Sequence, residues 1–285
     1  MNSEKIAILI DSCTDVPAEL VAKEGVYSIP VLIRYADGEY RDGIDITAQK
    51  VYERFEQEVP KTSLPSLESV QHIFAKIAAD GYEKVIAITI SSGLSGTHGV
   101  VRLASAQFDW IQTRVIDTKN IGIGAGFTAI HALQLAQQGV KFEEIVQKLE
   151  QDVENTKVFF CVETLEYLRK GGRIGLIPSV LGAMLQLKPI ISCNEDGVYY
   201  TAAKARGRKR SLDQAVALAQ AFAGQGEYNL AIAHGGAEAE AGQLAEQAKT
   251  LFPKAREIFR GQISPALVVH TGPGLLGIGV QRILD

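Results

Sequence analysis

Short apolar runs alternate along this chain with segments whose apolar residues recur at helical spacing, and no other feature restricts the fold as much. Residues 6–10 and 85–90 are almost wholly apolar, the pattern of strands buried on both faces. Residues 27–35 and 114–116 read as further strands, with Asp37-Gly38 as a turn after the first of them. Between them come helical patterns. Residues 17–23 suit a short helix with Pro17 near its first turn, and Thr47 opens a helix carrying Val51. Val70, Phe74 and Ile77 share one helical face, and Val100, Leu103 and Ala104 share another. Residues 126–136 form one more helix. Such strand–helix alternation predicts a parallel sheet covered by helices on both faces.

The second half has a different texture. Residues 158–162 read as a strand, followed by glycine-rich turns and a hairpin around Gly197. A helix over 211–222, a strand over 230–233 and a helix over 237–251 come next. In the glycine-rich last segment, residues 267–269 read as a strand ending at His270. The predicted architecture is α/β with two lobes, residues 1–155 with a parallel sheet and residues 156–285 mixed α/β. The boundary falls at Glu154-Asn155-Thr156, and a ligand cleft is expected between the lobes.

Charge and cysteine usage exclude several functions. The formal net charge of −4 gives no general basic face, so no nucleic-acid binding is expected. Cys13, Cys161 and Cys193 form no CxxC pair, and the five histidines show no metal-ligand spacing, so no metal or cofactor is expected. The apolar run at the start is too short for a signal peptide or a membrane span. The expectation is a soluble cytoplasmic protein with at most transient membrane contact.

Five groups of residues carry candidate chemistry. Thr89 to Thr97 (TISSGLSGT) follows an apolar strand and opens a helix, gathering hydroxyls, glycines and free N–H groups where an anion is favoured. Capping and a tight turn would use the same residues, and no Lys-Ser/Thr pair follows to make a phosphate-binding P-loop. The segment PKTSLPS at 60–66 is stiffened by two prolines and offers Thr62 or Ser63 to a ligand, or merely Ser66 as a helix cap. His270 precedes the rigid turn Thr271-Gly272-Pro273-Gly274 and could hydrogen-bond a carboxylate. Two basic stretches, Arg169 to Arg173 and Lys204 to Arg210, could attract phosphate or an acidic partner, or simply face solvent. Asp11, which ends the first strand, forms an acidic cluster with Asp15, Asp42 and Asp45 that could do acid–base work or bind magnesium, though N-capping by Asp15 and a turn at Asp42 would use the same residues. Gly122, Gly124 and Gly126 do not complete a dinucleotide-binding GxGxxG.

Taken in order, IDSCTD, KTSLPS, ISSGLSGT, VIDTK, LEYLRKGGRI, LKPII, KARGRKR and HTGPG resemble the motifs of the DegV family along nearly the whole chain. Each is weakly specific alone. Eight in order leave little room for chance. The family includes the fatty-acid-binding subunits of bacterial fatty acid kinase.

The resemblance implies two α/β lobes enclosing one long-chain fatty acid, and no catalytic residue of the chain's own. It implies a carboxylate held by Thr62, by Ser92 with the N–H groups around Gly93, and by His270. The tail would supply affinity, since about 15 methylenes at about 0.8 kcal/mol each are worth roughly 12 kcal/mol before binding costs. It also implies a separate ATP-dependent kinase that phosphorylates the bound acid, after which the carrier delivers acyl-phosphate to phospholipid synthesis. Arg169, Arg173 and Arg206 are then the candidates for docking the kinase or steadying the phosphate. The competing reading is a stand-alone hydrolase or phosphotransferase using Ser92 or Asp11 with His270. Ser92 lacks the GxSxG elbow of such enzymes.

Overall fold

The computed structural model describes residues 1–178 and 187–284. The first half runs β1 (Ile6–Asp11), α1 (Ala18–Val21), β2 (Val26–Ile29), β3 (Leu32–Tyr35), β4 (Gly38–Arg41), α2 (Ala48–Arg54), β5 (Lys61–Ser63), α3 (Leu67–Ala79), β6 (Lys84–Thr89), α4 (Thr97–Ser105), β7 (Gln112–Asp117), α5 (Ile123–Gln137) and α6 (Phe142–Glu154). Strands β2-β1-β6-β7 form the expected parallel sheet. Its side chains alternate between two cores. Ala7, Leu9, Val85 and Ala87 pack with Phe74 of α3 and Val101 of α4, while Ile6, Ile8, Ile86 and Ile88 pack with Leu133 of α5 and Leu149 of α6. Both faces are therefore covered, which is why β1 and β6 carry so few polar residues.

Two local expectations fail here. The strand expected over 27–35 divides at Pro30, which has no N–H to give a ladder. Its first part joins the parallel sheet, and its second part, β3, is the centre of a small antiparallel sheet β4-β3-β5. On α4 the buried stripe is Thr97, Val101 and Ala104, leaving Leu103 65% exposed. Those three are spaced i, i+4, i+7, and a buried threonine hid the register.

The second half runs β8 (Thr156–Cys161), α7 (Glu166–Lys170), β9 (Leu187–Cys193), β10 (Tyr199–Arg206), α8 (Arg208–Ala223), β11 (Tyr228–Gly235), α9 (Glu238–Leu251), β12 (Ala255–Gln262), α10 (Pro265–Thr271) and β13 (Leu275–Arg282). The mixed sheet β10-β9-β8-β13-β11-β12 is antiparallel except between β11 and β12. Phe159, Ile232, Ile278 and Val280 face α8 and α9. On the other face, Val158, Phe160, Ile191 and Leu275 turn toward the first half. Helix α5 lies between the two sheets, with Leu133 in the parallel sheet's core and Phe127 packed on Ala231 and Phe259. Its first eight residues, Ile123 to Ile130, are buried on every side and carry almost no polar groups, while Gln134 and Gln137 nearer its end are exposed. Among the described residues, no helix is long and apolar enough to cross a membrane.

Residues 267–269, expected as a strand, belong instead to helix α10. Pro265 occupies its first turn and Gly272, at φ +67°, ends it. Its N-terminal amides are satisfied from far away in the chain. Ser264 N–H donates to Asp15 Oδ1 at 3.0 Å, and Ala266 N–H donates to Asp42 Oδ1 at 2.9 Å. Local sequence carries no sign of caps supplied from more than two hundred residues off.

The β9–β10 hairpin closes against the SSGLSG loop. Ser91 Oγ donates to the Gly197 carbonyl at 2.8 Å and accepts from Gly93 N–H at 3.0 Å. Gly197 has φ +73°, and a Cβ there would fall 1.9 Å from Ser91 Oγ. Gly197→Ala is therefore expected to cost at least about 2 kcal/mol, from left-handed strain and overpacking together. A lower urea midpoint with an unchanged m-value checks this, and a midpoint equal to wild type refutes it.

Candidate functional site

Between α10, β13 and the strand-end loops of the parallel sheet lies a mostly apolar cavity. Helix α10 gives it one face at i, i+3/i+4, i+7 spacing: Ile263 just before the helix, Ala266 and Leu267, then His270. Strand β13 gives Leu275, Gly277 and Gly279 at period two, and β8 adds Val158 and Phe160. The two glycines remove side chains from the floor. A Cβ at Gly277 would stand 3.3 Å from Phe160 Cβ, and one at Gly279 3.1 Å from the Phe127 ring.

Polar groups gather at one end. Thr62 Oγ1 and His270 Nε2 are 2.7 Å apart, joining β5 to α10. Arg173 lines the cavity beside them, its Nη1 donating to the Gly171 carbonyl at 2.7 Å and its Nε to the Leu94 carbonyl at 3.3 Å. Burial, with the nearby Arg173 guanidinium adding to it, pushes the His270 imidazole down to about 4. The ring is thus neutral at pH 7. Its Nδ1 is buried without a partner and rests against Gly171, where a Cβ would come within 2.1 Å of it. Protonation at Nε2 leaves Nδ1 a bare acceptor rather than a buried orphan donor. His270 then donates to Thr62, whose hydroxyl hydrogen is free to point at a ligand.

The other candidates fall elsewhere. Ser92 does not line the cavity: its Oγ and N–H both donate to Asp117, and the serine of that loop at the wall is Ser95. Burial raises the Asp117 carboxyl, but hydrogen bonds from Ser92 and Lys119 outweigh it and hold the group below its usual range. Gly93 packs against the hairpin, where a Cβ would meet the Asp196 carbonyl at 2.8 Å. Arg169 lies in a separate cleft with Lys188 and Lys204, and Arg206 lies in a shallow one with Arg210 and Asp213. Of the three arginines, only Arg173 reaches the cavity.

The acidic residues are structural. Asp11 accepts from Ile90 N–H at 2.8 Å and Cys13 N–H at 2.9 Å, yet burial pushes its carboxyl up to about 7. Burial also pushes Asp42 up to about 6 and Asp15 well above the carboxylate range. Neither Asp11 nor Ser92 is brought to His270, whose ring partner is Thr62. The hydrolase constellation is therefore not assembled. Gly277 and Gly279 went unread in the sequence, although glycines at period two in an apolar strand mark a place where something approaches closely. Ser95, Phe160 and Tyr199 gave no signal that separates a cavity wall from a core.

These features define a class: two-lobed α/β proteins that enclose a mostly apolar cavity with hydrogen-bonding groups at one end. This chain belongs to the DegV family, whose sequence model, described as an uncharacterised protein family, matches residues 5–282. A DegV domain-containing protein of Clostridium acetobutylicum is 38% identical over 279 residues, covering 98% of this chain and 99% of that one. One of Clostridium perfringens is 39% identical over 279 residues, with the same coverage of 98% and 99%. Among solved structures, a DegV family protein from Thermus thermophilus, described as binding fatty acid, superposes with a TM-score of 0.92 at 28% identity, covering 99% of this chain and 100% of that one. A stearic-acid-binding protein from Eubacterium ventriosum gives 0.88 at 26% identity, covering 97% and 98%.

The His270 ring is expected to titrate with a midpoint near 4, against about 6.5 for a free imidazole. Its proton NMR signal should then stay constant from pH 8 down to about 5.5. Gly171→Ala should push the ring off Thr62 and move the midpoint upward. A midpoint at 6.5 in the wild-type protein would contradict the buried, neutral ring.

Proposed function

We propose that this protein binds one long-chain fatty acid in the cavity, carboxylate toward Thr62, His270 and Arg173, and tail over Gly277 and Gly279. One observation carries the reading: the Thr62–His270 pair and the Arg173 guanidinium converge at one end of a mostly apolar cavity. A carboxylate leaving water needs such donors, because a buried unpaired charge is not tolerated. The apolar walls suit an acyl chain at about 0.8 kcal/mol per buried methylene. The structural relatives that bind fatty acids support the same ligand.

In the finer reading, the protein is a carrier. It presents the carboxylate to an ATP-dependent fatty acid kinase and takes the acyl-phosphate toward phospholipid synthesis in the cytoplasm, using no cofactor of its own. Support comes from the DegV motifs and from the place of the polar end, where Thr62, Ser95 and Arg173 are only partly buried. Arg169 and Arg206, away from the cavity, suit the docking of an acidic partner face. Ser95 takes the place first given to Ser92 as the loop's hydroxyl toward the ligand.

Denaturing mass spectrometry of the purified protein is expected to release a long-chain fatty acid. An empty cavity that also fails to take up added stearate would refute the reading. His270→Ala should weaken binding by about 0.5–1.5 kcal/mol, roughly two- to tenfold in Kd, since it removes the donor that turns the Thr62 hydroxyl toward the ligand. Ser95→Ala should weaken it more than Ser92→Ala, and the reverse order would restore Ser92 to the site. For the partner, Arg206→Ala should reduce co-precipitation of the kinase. Unchanged association and turnover would sink that assignment.

A further inference from the structure

The apolar floor of the cavity stops abruptly. Strand β13 begins at Leu275, just past the turn that follows His270, and runs away from the polar end. Its alternate residues form cross-strand rows with β8 and β11 on the face toward the first half. Gly277 pairs with Phe160 and Ala233, and Gly279 with Val158 and Ala231. The next row is Thr156, Gln281 and Asn229. The cavity takes in Val158 and Gly279 but no residue of that next row.

Phe127 stands at this boundary. It lies on α5 one turn beyond Ile123, a residue of the cavity wall. Its ring covers Gly279, where a Cβ would come within 3.1 Å of Cε2. The side chain is fully buried, packed on Ala231 and edge-on to Phe259 with ring centroids 5.8 Å apart. On its other side Phe127 borders a surface cleft, together with Ile130, Asn229 and Gln281. The ring therefore fills the space between the last apolar row of the cavity and the polar row outside it. Packed against both sheet and helix, it cannot swing aside without opening a void.

The row behind the ring gives an acyl tail nothing to gain. Thr156 and Gln281 are buried, and Asn229 Nδ2 donates to Gln281 Oε1 at 3.1 Å. Methylenes bind by leaving water for apolar surface, so contact with an amide pair adds little. A tail laid along β13 meets Gly277, then Gly279, and then the Phe127 ring.

The geometry points to Phe127 as the end-stop of the acyl tail, the residue that sets the longest chain this protein accepts. The inference rests on the fatty-acid reading above, with the carboxylate at His270 and the tail over Gly277 and Gly279.

The test measures Kd for saturated acids of even length from fourteen to twenty-two carbons. In wild-type protein each added carbon pair should tighten binding about tenfold until the tail meets the ring, after which further pairs should bring no gain. Phe127→Ala should raise that limit by one carbon pair, because the tail takes the place of the ring, and no further, because the polar row lies behind. Gly279→Ala, whose added methyl meets the ring, should lower the limit by one pair. Ile123→Ala probes a sideways route, since Ile123 also borders an outer groove beside α1 and β12. A limit that moves with Ile123→Ala and stays put in Phe127→Ala and Gly279→Ala would overturn the proposal. So would affinity that climbs without a break to twenty-two carbons in wild-type protein, a result that needs no variant to fold. If Phe127→Ala does not fold, an unchanged limit in Gly279→Ala overturns it equally. Failure of every acid to bind wild-type protein would instead overturn the fatty-acid reading.

Discussion

Two buried carboxyls from the first half of the chain hold the start of a helix from the end of it, and the site depends on that contact. Asp15 and Asp42 accept the amides of Ser264 and Ala266, so α10 begins at one fixed place. Six residues on, the helix delivers His270 to Thr62. Uncapped, those amides would be buried without partners at about 1–3 kcal/mol each, and the register of the lining face would be free to slip. The strand-end aspartates, which resemble a catalytic cluster in sequence, thus act by positioning.

Glycines decide the rest of the shape, each at a point where two chain segments touch. Gly197 and Gly93 let the hairpin of the mixed sheet sit on the loop of the parallel sheet. Gly171 gives the His270 ring its resting place, and Gly277 and Gly279 hollow the floor. The family motifs GGR and SSGLSG therefore hold glycine for close approach as much as for turn geometry. The anion site expected at the N-terminus of α4 is partly occupied by the protein itself, since the Ser92 amide and hydroxyl bind Asp117.

The polar end of the cavity draws on both halves: Thr62 and Leu94 come from the first, Arg173 and His270 from the second. A ligand held there bridges elements that are otherwise linked through α5, α10 and the hairpin. Binding then adds to global stability, by an amount that grows with the logarithm of ligand concentration over Kd. Because the free imidazole is kept neutral by burial and by Arg173, an arriving carboxylate offsets both effects and favours its protonation.

By itself, the sequence determined what depends on periodicity and local chemistry. The doubly covered parallel sheet, the helices α3, α5, α8 and α9, the hairpin at Gly197 and the candidacy of Thr62 and His270 were all legible, because burial patterns and turn residues act over a few positions. Tertiary structure alone decided the others. Residues 267–269 are apolar and β-branched enough to read as strand, and only distant carboxyls make them helix. Ser95 rather than Ser92, and Arg173 rather than Arg169 or Arg206, face the cavity because of how two sheets meet. Residue type does not encode direction across such a seam. Long-range contact does, and here it runs through α5, which packs against both sheets.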